Sequence, residues 1–345
     1  MIQYIGSKLK LIDLLIPTFE AEFPGKSLSI LELFSGSARL AYAIKASGHR
    51  VVMNDMNAAP HALAQGFVEA DDVPWAGAAE DLIAELREAP PVDGWFTQTY
   101  ARDARFFQPK NAVRIEGVRV RIDELGLPPL LRAIALASLL EASSRVDSTC
   151  GIQAAYVKDW SARSHGDLDL RVPHLLPQPP AGRCLALRGD AEEAATRLRM
   201  QGECFDIAYL DPPYNHHNYA ANYHIWETLV SGEHPEVRGV ARKPVGIPKS
   251  EFNAKNRCGE ALRRVIEAAP ARVIVVSFSD DGFLSRAEIE AMLAQRGDVK
   301  TVSRPHTRYI GRKNGGHNPD GVLVGEETAH DTVENVFVCR VRKAP

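Results

Sequence analysis

The sequence has few cysteines, and their spacing argues against a fold held together by zinc or by disulfide bonds. Five cysteines are scattered over 345 residues, at positions 150, 184, 204, 258 and 339, and no two form a Cys-x-x-Cys pair. Isolated thiols of this kind predict neither a structural zinc site nor a disulfide framework. His216, His217 and His224 lie close together in the sequence. Adjacent loop histidines share no helix face, however, so we expect no metal.

Long apolar runs and a strong charge of one sign are also missing. No stretch of about 18 apolar residues occurs, and the N-terminal segment lacks the pattern of a signal peptide. We therefore expect no membrane span and a cytoplasmic location. The formal net charge is −3, so any surface that binds a polyanion must be local. The window 100–121 contains six Arg or Lys residues against two acids, and it is the predicted basic surface.

The hydrophobic pattern at both ends of the chain is typical of an α/β fold. Residues 28–34 predict a strand, 38–46 a helix and 50–53 a second strand, which together make a βαβ unit. Three later apolar runs predict parallel strands, and a fourth is a candidate antiparallel strand. These four segments are 184–187, 205–210, 272–278 and 334–340. We expect a doubly wound, mostly parallel sheet of the Rossmann-like type.

The middle of the chain has a different character. Residues 71–180 are rich in predicted helices, and the proline-rich segment 173–180 is typical of a linker. This change predicts a catalytic domain made of residues 1–70 and 181–345. An inserted helix-rich domain would occupy residues 71–180.

The most informative motif is Asp211-Pro-Pro-Tyr214, which directly follows a predicted buried strand. An aromatic amine is a poor nucleophile, and accepting its hydrogen bonds favours a more tetrahedral nitrogen. Asp211 can offer a carboxylate oxygen and Pro212 a rigid backbone carbonyl. Tyr214 offers a flat face for an extruded base, which contributes about 1–3 kcal/mol when a base stacks. The pattern therefore predicts methylation of an exocyclic amine on a base.

Small and acidic residues follow the other predicted strands. The segment Glu32-Leu-Phe-Ser-Gly36 ends the first strand in a turn that lets a ligand approach the backbone. Asp55 and Asp190 close two further strands, and Asp190 is also placed to cap the helix that follows. Because the carboxyl ends of parallel strands meet at one edge, we expect these acids to converge there.

With these motifs in view, most of the chain resembles the Dam-like, alpha-group adenine DNA methyltransferases. Tyr4-Ile-Gly-Ser-Lys8 is similar to that family's N-terminal motif, the segment 32–38 to its cofactor motif, and 211–214 to its catalytic motif. The sequence differs from Dam itself in having Leu33 where Dam has proline. The order of the motifs is that of the alpha group, which implies that the insert is the target-recognition domain.

The resemblance implies S-adenosylmethionine as the cofactor and double-stranded DNA as the substrate. It also implies site residues, with Asp211, Pro212 and Tyr214 catalytic. The implied cofactor-binding residues are Tyr4, Lys8, Glu32, Phe34, Ser35, Gly36, Asp55, Asp190 and Asp211. Candidate DNA contacts, some from the resemblance and some from their position in the chain, are Arg145, Lys158, Tyr219, Tyr223, Arg308, Arg312 and Lys313.

Other interpretations of the same motifs stay open at this point. Methylation of the cytosine amine poses the same chemical problem, and related motifs occur in enzymes that methylate RNA or protein glutamine. A non-catalytic DNA-binding module is a further alternative, against which the intact set of acids argues. A monomer, a prokaryotic or phage origin and a cognate restriction endonuclease are further expectations.

Overall fold

A seven-stranded sheet forms the centre of the computed structural model, which describes residues 1–154, 156, 159–306 and 332–342. Its strands are β1 Ser29–Glu32, β2 Arg50–Asp55, β3 Leu185–Arg188, β4 Phe205–Leu210, β7 Ala271–Ser279, β8 Gly297–His306 and β9 Thr332–Val341. Between β4 and β7, the short strands β5 Val237–Arg238 and β6 Lys243–Pro244 form a separate antiparallel ribbon.

The strands of the large sheet lie in the order β3-β2-β1-β4-β7-β9-β8. The first five are parallel, whereas β9 runs antiparallel to both β7 and β8. The predicted doubly wound, mostly parallel sheet is therefore confirmed, and the candidate antiparallel strand at 334–340 is β9. Strand β8 was not predicted, because its polar, alternating sequence, which includes Pro305, is typical of a solvent-facing edge.

Strand β1 is the point at which the winding of the sheet reverses. Ile30 pairs in register with Val51 of β2 on one side and with Ile207 of β4 on the other. The chain moves outward through β2 and β3, then crosses back to β4. In open α/β sheets, ligands bind in the crevice outside the carboxyl ends of the strands at such a switch point. The carboxyl ends of β1 and β4 therefore mark the place to look for a site.

Helices cover both faces of the sheet. One face contacts a large cluster that includes Ile30, and the other a smaller cluster that includes Leu31, as the alternation of a strand requires. No helix in the described residues is both long and apolar enough to cross a membrane. The larger layer contains α1 Ile12–Glu22, α2 Arg39–Ala46, α3 Ala58–Ala64, α4 Asp72–Arg87, α5 Trp95–Thr97, α6 Pro109–Glu124, α7 Pro129–Val146, α9 Tyr219–Asn222 and α10 His224–Ser231. The smaller layer contains α8 Ala191–Met200, α11 Cys258–Ala268 and α12 Arg286–Ala294.

The helices α4 to α7 of the middle region pack directly against the part of the chain that carries the sheet. They share the larger hydrophobic cluster with β1, β2 and β4. A Cβ atom added to Gly66 would lie 2.6 Å from the carbonyl oxygen of Ala133 in α7, so the two segments are in close contact. The buried Lys45 of α2 fixes the start of the middle region, because its ammonium donates to the carbonyls of Val68 and Ala70 and lies 2.8 Å from Asp71.

Candidate active site

A cleft opens at the carboxyl edge of the sheet, where β1, β2, β3 and β4 end. It encloses about 1000 Å³ of empty space, part of which is open to solvent. Its walls come from segments that are far apart in the chain: residues 4–8, 32–37, 54–57 and 189–191, together with Asp211 and Pro213. The expected convergence of the acids at one edge is therefore confirmed, since Glu32, Asp55, Asp190 and Asp211 all line this cleft.

Glu32 is the last residue of β1 and lies almost entirely inside the protein, with 2% of its surface exposed. Among the described residues, its Oε2 atom has no hydrogen-bond partner. Burial, together with the nearby Asp211 and Asp55, raises the pKa of the Glu32 carboxyl well above its usual range. A buried acid without a partner is costly unless a ligand completes the site, so this wall is suited to a cationic group.

The turn after β1 has a backbone that few residues tolerate. Gly36 has a φ of +49° and Ala38 a φ of +58°, both in the region that glycine favours. The Gly36 amide donates to Asp55 Oδ2 over 3.0 Å, and the Asn57 amide donates to Asp55 Oδ1 over 3.0 Å. Asp55 thus links the end of β2 to the turn. A Cβ atom on Gly36 would lie 3.2 Å from the ring of Tyr4, so the turn and the N-terminal segment fit closely.

The opposite wall combines an acid with two aromatic rings. Asp190 caps α8, because its Oδ1 accepts from the Glu192 amide over 2.8 Å and from the Glu193 amide over 3.3 Å. The predicted cap is therefore confirmed. Phe34 lies edge-on to Phe252, with 5.2 Å between the ring centroids. Phe252 was not among the predicted residues, because it lies in a short 3₁₀ segment that resembles no motif.

Asp211 follows β4 and belongs to a buried group of three charges. Its Oδ1 lies 2.8 Å from the ammonium of Lys8, which also lies 3.2 Å from Glu334 Oε1 on β9. Burial raises the pKa of Asp211 to about 6, Lys8 opposes that rise, and Glu334 adds to it. Burial alone would lower the pKa of Lys8, but Asp211 and Glu334 outweigh it and raise that pKa well above its usual value. No motif pointed to Glu334, since only the folded sheet brings it to Lys8.

The two prolines and Tyr214 continue from Asp211 along the rim. Pro212 is buried and Pro213 lines the cleft. The Tyr214 carbonyl accepts from the Phe283 amide over 2.9 Å, and its ring lies edge-on to Phe278 at 5.9 Å. Burial raises the pKa of Tyr214 to about 12, so the phenol stays neutral at physiological pH. The motif is thus packed in place, with Tyr214 half-buried, and neither Pro212 nor Tyr214 is among the residues that line the cleft.

Three tyrosine rings stack beside the N-terminal segment. Tyr4 lies between Tyr219 at 5.5 Å and Tyr223 at 4.4 Å, with interplanar angles of 19° and 12°. Tyr219 lines the cleft, whereas Tyr223 is 3% exposed. The predicted contact of Tyr223 with DNA is therefore corrected, because its ring is covered by Tyr4 and its hydroxyl accepts from the Ile5 amide over 2.6 Å.

The other predicted DNA contacts give a mixed result. Arg145 is half-buried, and its guanidinium donates to the Asp169 carbonyl over 2.6 Å and lies 3.3 Å from Glu141. Because its guanidinium already has these two partners, Arg145 is less available to contact DNA than predicted. Four further candidates, Lys158, Arg308, Arg312 and Lys313, lie outside the described residues.

The predicted basic surface at 100–121 is largely neutralised by acids from other parts of the chain. Arg102 pairs with Asp93 over 2.5 Å, and Lys110 pairs with Asp167 over 2.6 Å. Arg119 is buried and bonds to the Leu229 carbonyl. This prediction is therefore not supported, because a count over a short window omits the partners that folding supplies.

The histidines near the catalytic motif have ordinary roles in the fold. The rings of His216 and His217 lie 4.6 Å apart on the surface. His224 is buried, with its Nε2 2.9 Å from the Ala241 carbonyl and its Nδ1 3.2 Å from the Ala221 carbonyl. No group of three or more potential metal ligands occurs in the part of the chain that the structure describes.

Comparison with known proteins finds similar methyltransferases. The chain is 28% identical to the type II methyltransferase M.FokI of Planomicrobium okeanokoites over 89% of its own length and 49% of that protein. It is 26% identical to M.CviAII of Paramecium bursaria Chlorella virus 1, with 89% of this chain and 92% of that protein covered. It is also 26% identical to M.NlaIII of Neisseria lactamica, with 91% and 94% covered.

The chain thus spans about half the length of M.FokI but nearly the full length of the other two relatives. A model of one family matches residues 4–279, which include the tyrosine stack, the cleft and the motif at Asp211. This protein belongs to the D12 class N6 adenine-specific DNA methyltransferases.

Proposed function

We propose that this protein transfers a methyl group from S-adenosylmethionine to the N6 amine of an adenine that has been extruded from double-stranded DNA. The observation that carries the proposal is the position of Asp211. It follows the carboxyl end of β4, the strand next to β1, whose last residue is Glu32, and both acids line the cleft. A hydrogen-bond acceptor for an amine and a wall suited to a cation therefore face the same cleft.

The lining of the cleft fits S-adenosylmethionine. This molecule has an ammonium group, a sulfonium, ribose hydroxyls and an adenine ring, and when bound it supplies a methyl group activated by the sulfonium. The unpartnered Glu32 Oε2 matches the ammonium group, and Asp55 matches the ribose hydroxyls. Phe34 offers an apolar face to the adenine ring, and Asp190 an acceptor for its amine. The other residues proposed to contact it are Tyr4, Lys8, Ser35, Gly36 and Asp211.

Asp211, Pro212 and Tyr214 orient the target base. The Asp211 carboxylate and the Pro212 carbonyl accept the two N–H bonds of the adenine amine, which turns the nitrogen lone pair toward the methyl group. Tyr214 stacks on the ring. The rate enhancement then comes from proximity, orientation and fixed charges, and needs no strong base.

One proton must leave the amine as the new N–C bond forms and the S–C bond breaks. The amine becomes acidic only late in this step, when the nitrogen carries positive charge. Because the pKa of Asp211 is raised to about 6, the carboxylate is ionised at pH 7–8 and can accept the proton at that stage. Asp211 can then release it to water.

The DNA duplex must lie across the rim of the cleft. We propose that residues 71–180 form the target-recognition part of the protein, and that Tyr219, which lines the cleft, is near the extruded base. The ribbon of β5 and β6 is a further candidate contact, because Val240 is 75% exposed there and Arg238, which pairs with Glu236 over 3.0 Å, keeps 72% of its side chain exposed. Proteins that bind the minor groove and unstack neighbouring base pairs commonly combine basic side chains with an inserted apolar side chain.

The biological setting is also part of the proposal. The three relatives above are named type II methyltransferases, and two further relatives are named modification methylases. We propose a modification role beside a cognate restriction endonuclease, in the cytoplasm of a prokaryote or of a phage-infected cell, where the DNA is. A monomer is the proposed working unit.

A nucleoside digest of DNA from cells that express the protein tests the reaction directly. Mass spectrometry of the digest should find N6-methyladenine with the wild type and none with Asp211→Ala. Methylcytosine modified on the amine would overturn the choice of base. An unmodified digest from well-expressed, folded protein would overturn the DNA substrate, and RNA or protein would become the next substrates to assay.

A further inference from the structure

Glu334 lies on the last described strand, far in sequence from every motif of the cleft. It is 4% exposed and pairs in register with Ser279 of β7 and Arg304 of β8. The family model ends at residue 279, so the match does not include Glu334. Its Oε1 atom nevertheless lies 3.2 Å from the ammonium of Lys8, which contacts Asp211.

The ammonium of Lys8 is shared between two carboxylates. Its side chain is 9% exposed, and the Asp211 and Glu334 side chains are 16% and 6% exposed. Arg304, the neighbour of Glu334 across the sheet, is engaged with Asp13 at 2.7 Å. Lys8 is therefore the cation that Glu334 contacts in the ion pairs of the described residues. Two acids and one base leave the group with one negative charge.

We propose that Glu334 is a positioning residue for methyl transfer, which shares the Lys8 ammonium with Asp211 and so keeps the Asp211 carboxylate a strong hydrogen-bond acceptor. This inference rests on the proposed function. Lys8 alone would form a full ion pair with Asp211 and draw charge away from the oxygen that must accept the target amine. Glu334 takes part of that attraction, since its Oε1 atom lies 3.2 Å from the same ammonium.

The effects of the neighbouring charges on the pKa of Asp211 have the direction that this role requires. Burial raises the pKa of Asp211, Lys8 lowers it, and Glu334 raises it again. Among the described residues, the other titratable groups coupled electrostatically to this cluster are Glu32, Tyr209, Tyr214 and Tyr219. Three of these are phenols that remain neutral at pH 7–8, because burial raises each of their pKa values. Glu334 is thus the charge whose removal changes the Lys8–Asp211 pair most directly.

The test is the pH dependence of kcat for Glu334→Gln, measured on full-length protein with saturating S-adenosylmethionine and duplex DNA. Without the Glu334 charge, Lys8 acts on Asp211 alone. The acid limb of the profile should then move down by about one pH unit. The plateau of kcat should fall about fivefold, because a less basic carboxylate is a weaker acceptor. The KM for S-adenosylmethionine should change less than about twofold.

Two further variants separate charge from packing. Glu334→Asp keeps the charge but shortens the side chain. The acid limb of its kcat profile should therefore lie at the same pH as in the wild type, even if its melting temperature falls. Glu69→Gln removes another buried carboxylate, which accepts from the Ala186 amide at the other edge of the sheet, and should leave the acid limb unmoved.

The outcomes distinguish this inference from the proposed function. If the wild type methylates DNA and Glu334→Gln has the same acid limb and the same plateau, Glu334 has no positioning role. A uniform loss of activity in both Glu334→Gln and Glu334→Asp, with no movement of the limb, would likewise reduce it to a packing residue. If the wild type itself makes no methyladenine, the proposed function fails first.

Discussion

The ring of Tyr4 lies flat on the ring of Tyr223, with 4.4 Å between centroids and 12° between planes. The hydroxyl of Tyr223 also accepts from the amide of Ile5, the next residue of the N-terminal segment. Tyr223 precedes α10, whose Ile225 amide donates to Gln153 of the middle region over 2.8 Å. The Tyr223 hydroxyl itself donates to the Gly151 carbonyl over 3.3 Å. One buried tyrosine therefore joins the wall of the cleft to the segment proposed to recognise DNA.

Replacement of Tyr223 by Phe should weaken cofactor binding without removing the stack. The Ile5 amide is partly buried and would lose its acceptor, and the cost should lie toward the lower end of the range of about 1–3 kcal/mol for an unsatisfied buried donor. Part of that energy belongs to the docked N-terminal segment. We expect the dissociation constant for S-adenosylmethionine, measured by calorimetry, to rise about threefold to tenfold.

Tyr42→Phe is the matched control for this change. Its hydroxyl bonds at the surface to His174, away from the cleft. The same loss of one hydroxyl should there leave the dissociation constant unchanged. Equal constants for wild type and Tyr223→Phe would show that the bond to Ile5 does not support the cleft.

Glu32→Gln should reduce cofactor affinity and remove its pH dependence. The pKa of Glu32 is raised well above its usual range by burial, Asp211 and Asp55. A cationic ligand binds the ionised form, so in the wild type affinity should fall as pH falls through that raised pKa, and binding should release a proton. Calorimetry in buffers of different ionisation enthalpy measures the proton directly.

With glutamine in place of the acid, the dissociation constant should be at least about tenfold higher at pH 8 and flat between about pH 6 and 8. A wild-type affinity that does not vary with pH would contradict the assignment of Glu32 to the ammonium group.

Gly36→Ala should weaken the binding of S-adenosylmethionine by more than backbone strain alone explains. Gly36 has a φ of +49°, and a Cβ atom there would lie 3.2 Å from Tyr4. Gly48 has a φ of +81° and no atom within 4 Å of a Cβ position. Both alanine variants strain the backbone, by about 1–2 kcal/mol, and both should lower the melting temperature.

Only Gly36→Ala should also raise the dissociation constant for S-adenosylmethionine, because it displaces Tyr4 at the wall. Similar affinities for the two variants would mean that the close fit between Gly36 and Tyr4 has no part in binding.

The sequence predicted the parts of the fold that are set by local patterns. Strand β4 was placed at Phe205–Leu210, and helix α8 at Ala191–Met200 with Asp190 as its cap, because apolar runs and capping acids are local signals. The rim of acids followed from topology, since parallel strands place their carboxyl ends together.

What the sequence did not predict depends on contacts between distant segments. Glu334 reaches Lys8 only because β9 lies next to β7, and Phe252 meets Phe34 only because a loop returns to the cleft. Tyr223 was expected to contact DNA, since an exposed and a buried tyrosine look alike in sequence. Charge counts along the chain failed for the same reason, as the pair of Lys110 with Asp167 shows.

Asp211→Asn should separate chemistry from cofactor binding. The amide cannot accept the amine's proton and is a weaker acceptor, so turnover should fall at least about a thousandfold. The dissociation constant for S-adenosylmethionine should rise less than about fivefold. Asp206→Asn is the control from the start of the same strand, where Asp206 accepts from the Ser29 amide and hydroxyl. That variant should keep most of its activity per folded molecule.

The stability of Asp211→Asn provides a second, independent check. The pKa of Asp211 is raised to about 6 in the folded protein, above the value of about 3.9 for an unfolded chain. The folded state therefore holds its proton more tightly, and ionisation of Asp211 reduces stability as pH rises from about 4 to above 6. At pH 8, Asp211→Asn should melt no lower than the wild type. A lower melting temperature with unchanged turnover would show that Asp211 is a structural ion-pair partner of Lys8 and not the residue that accepts the amine.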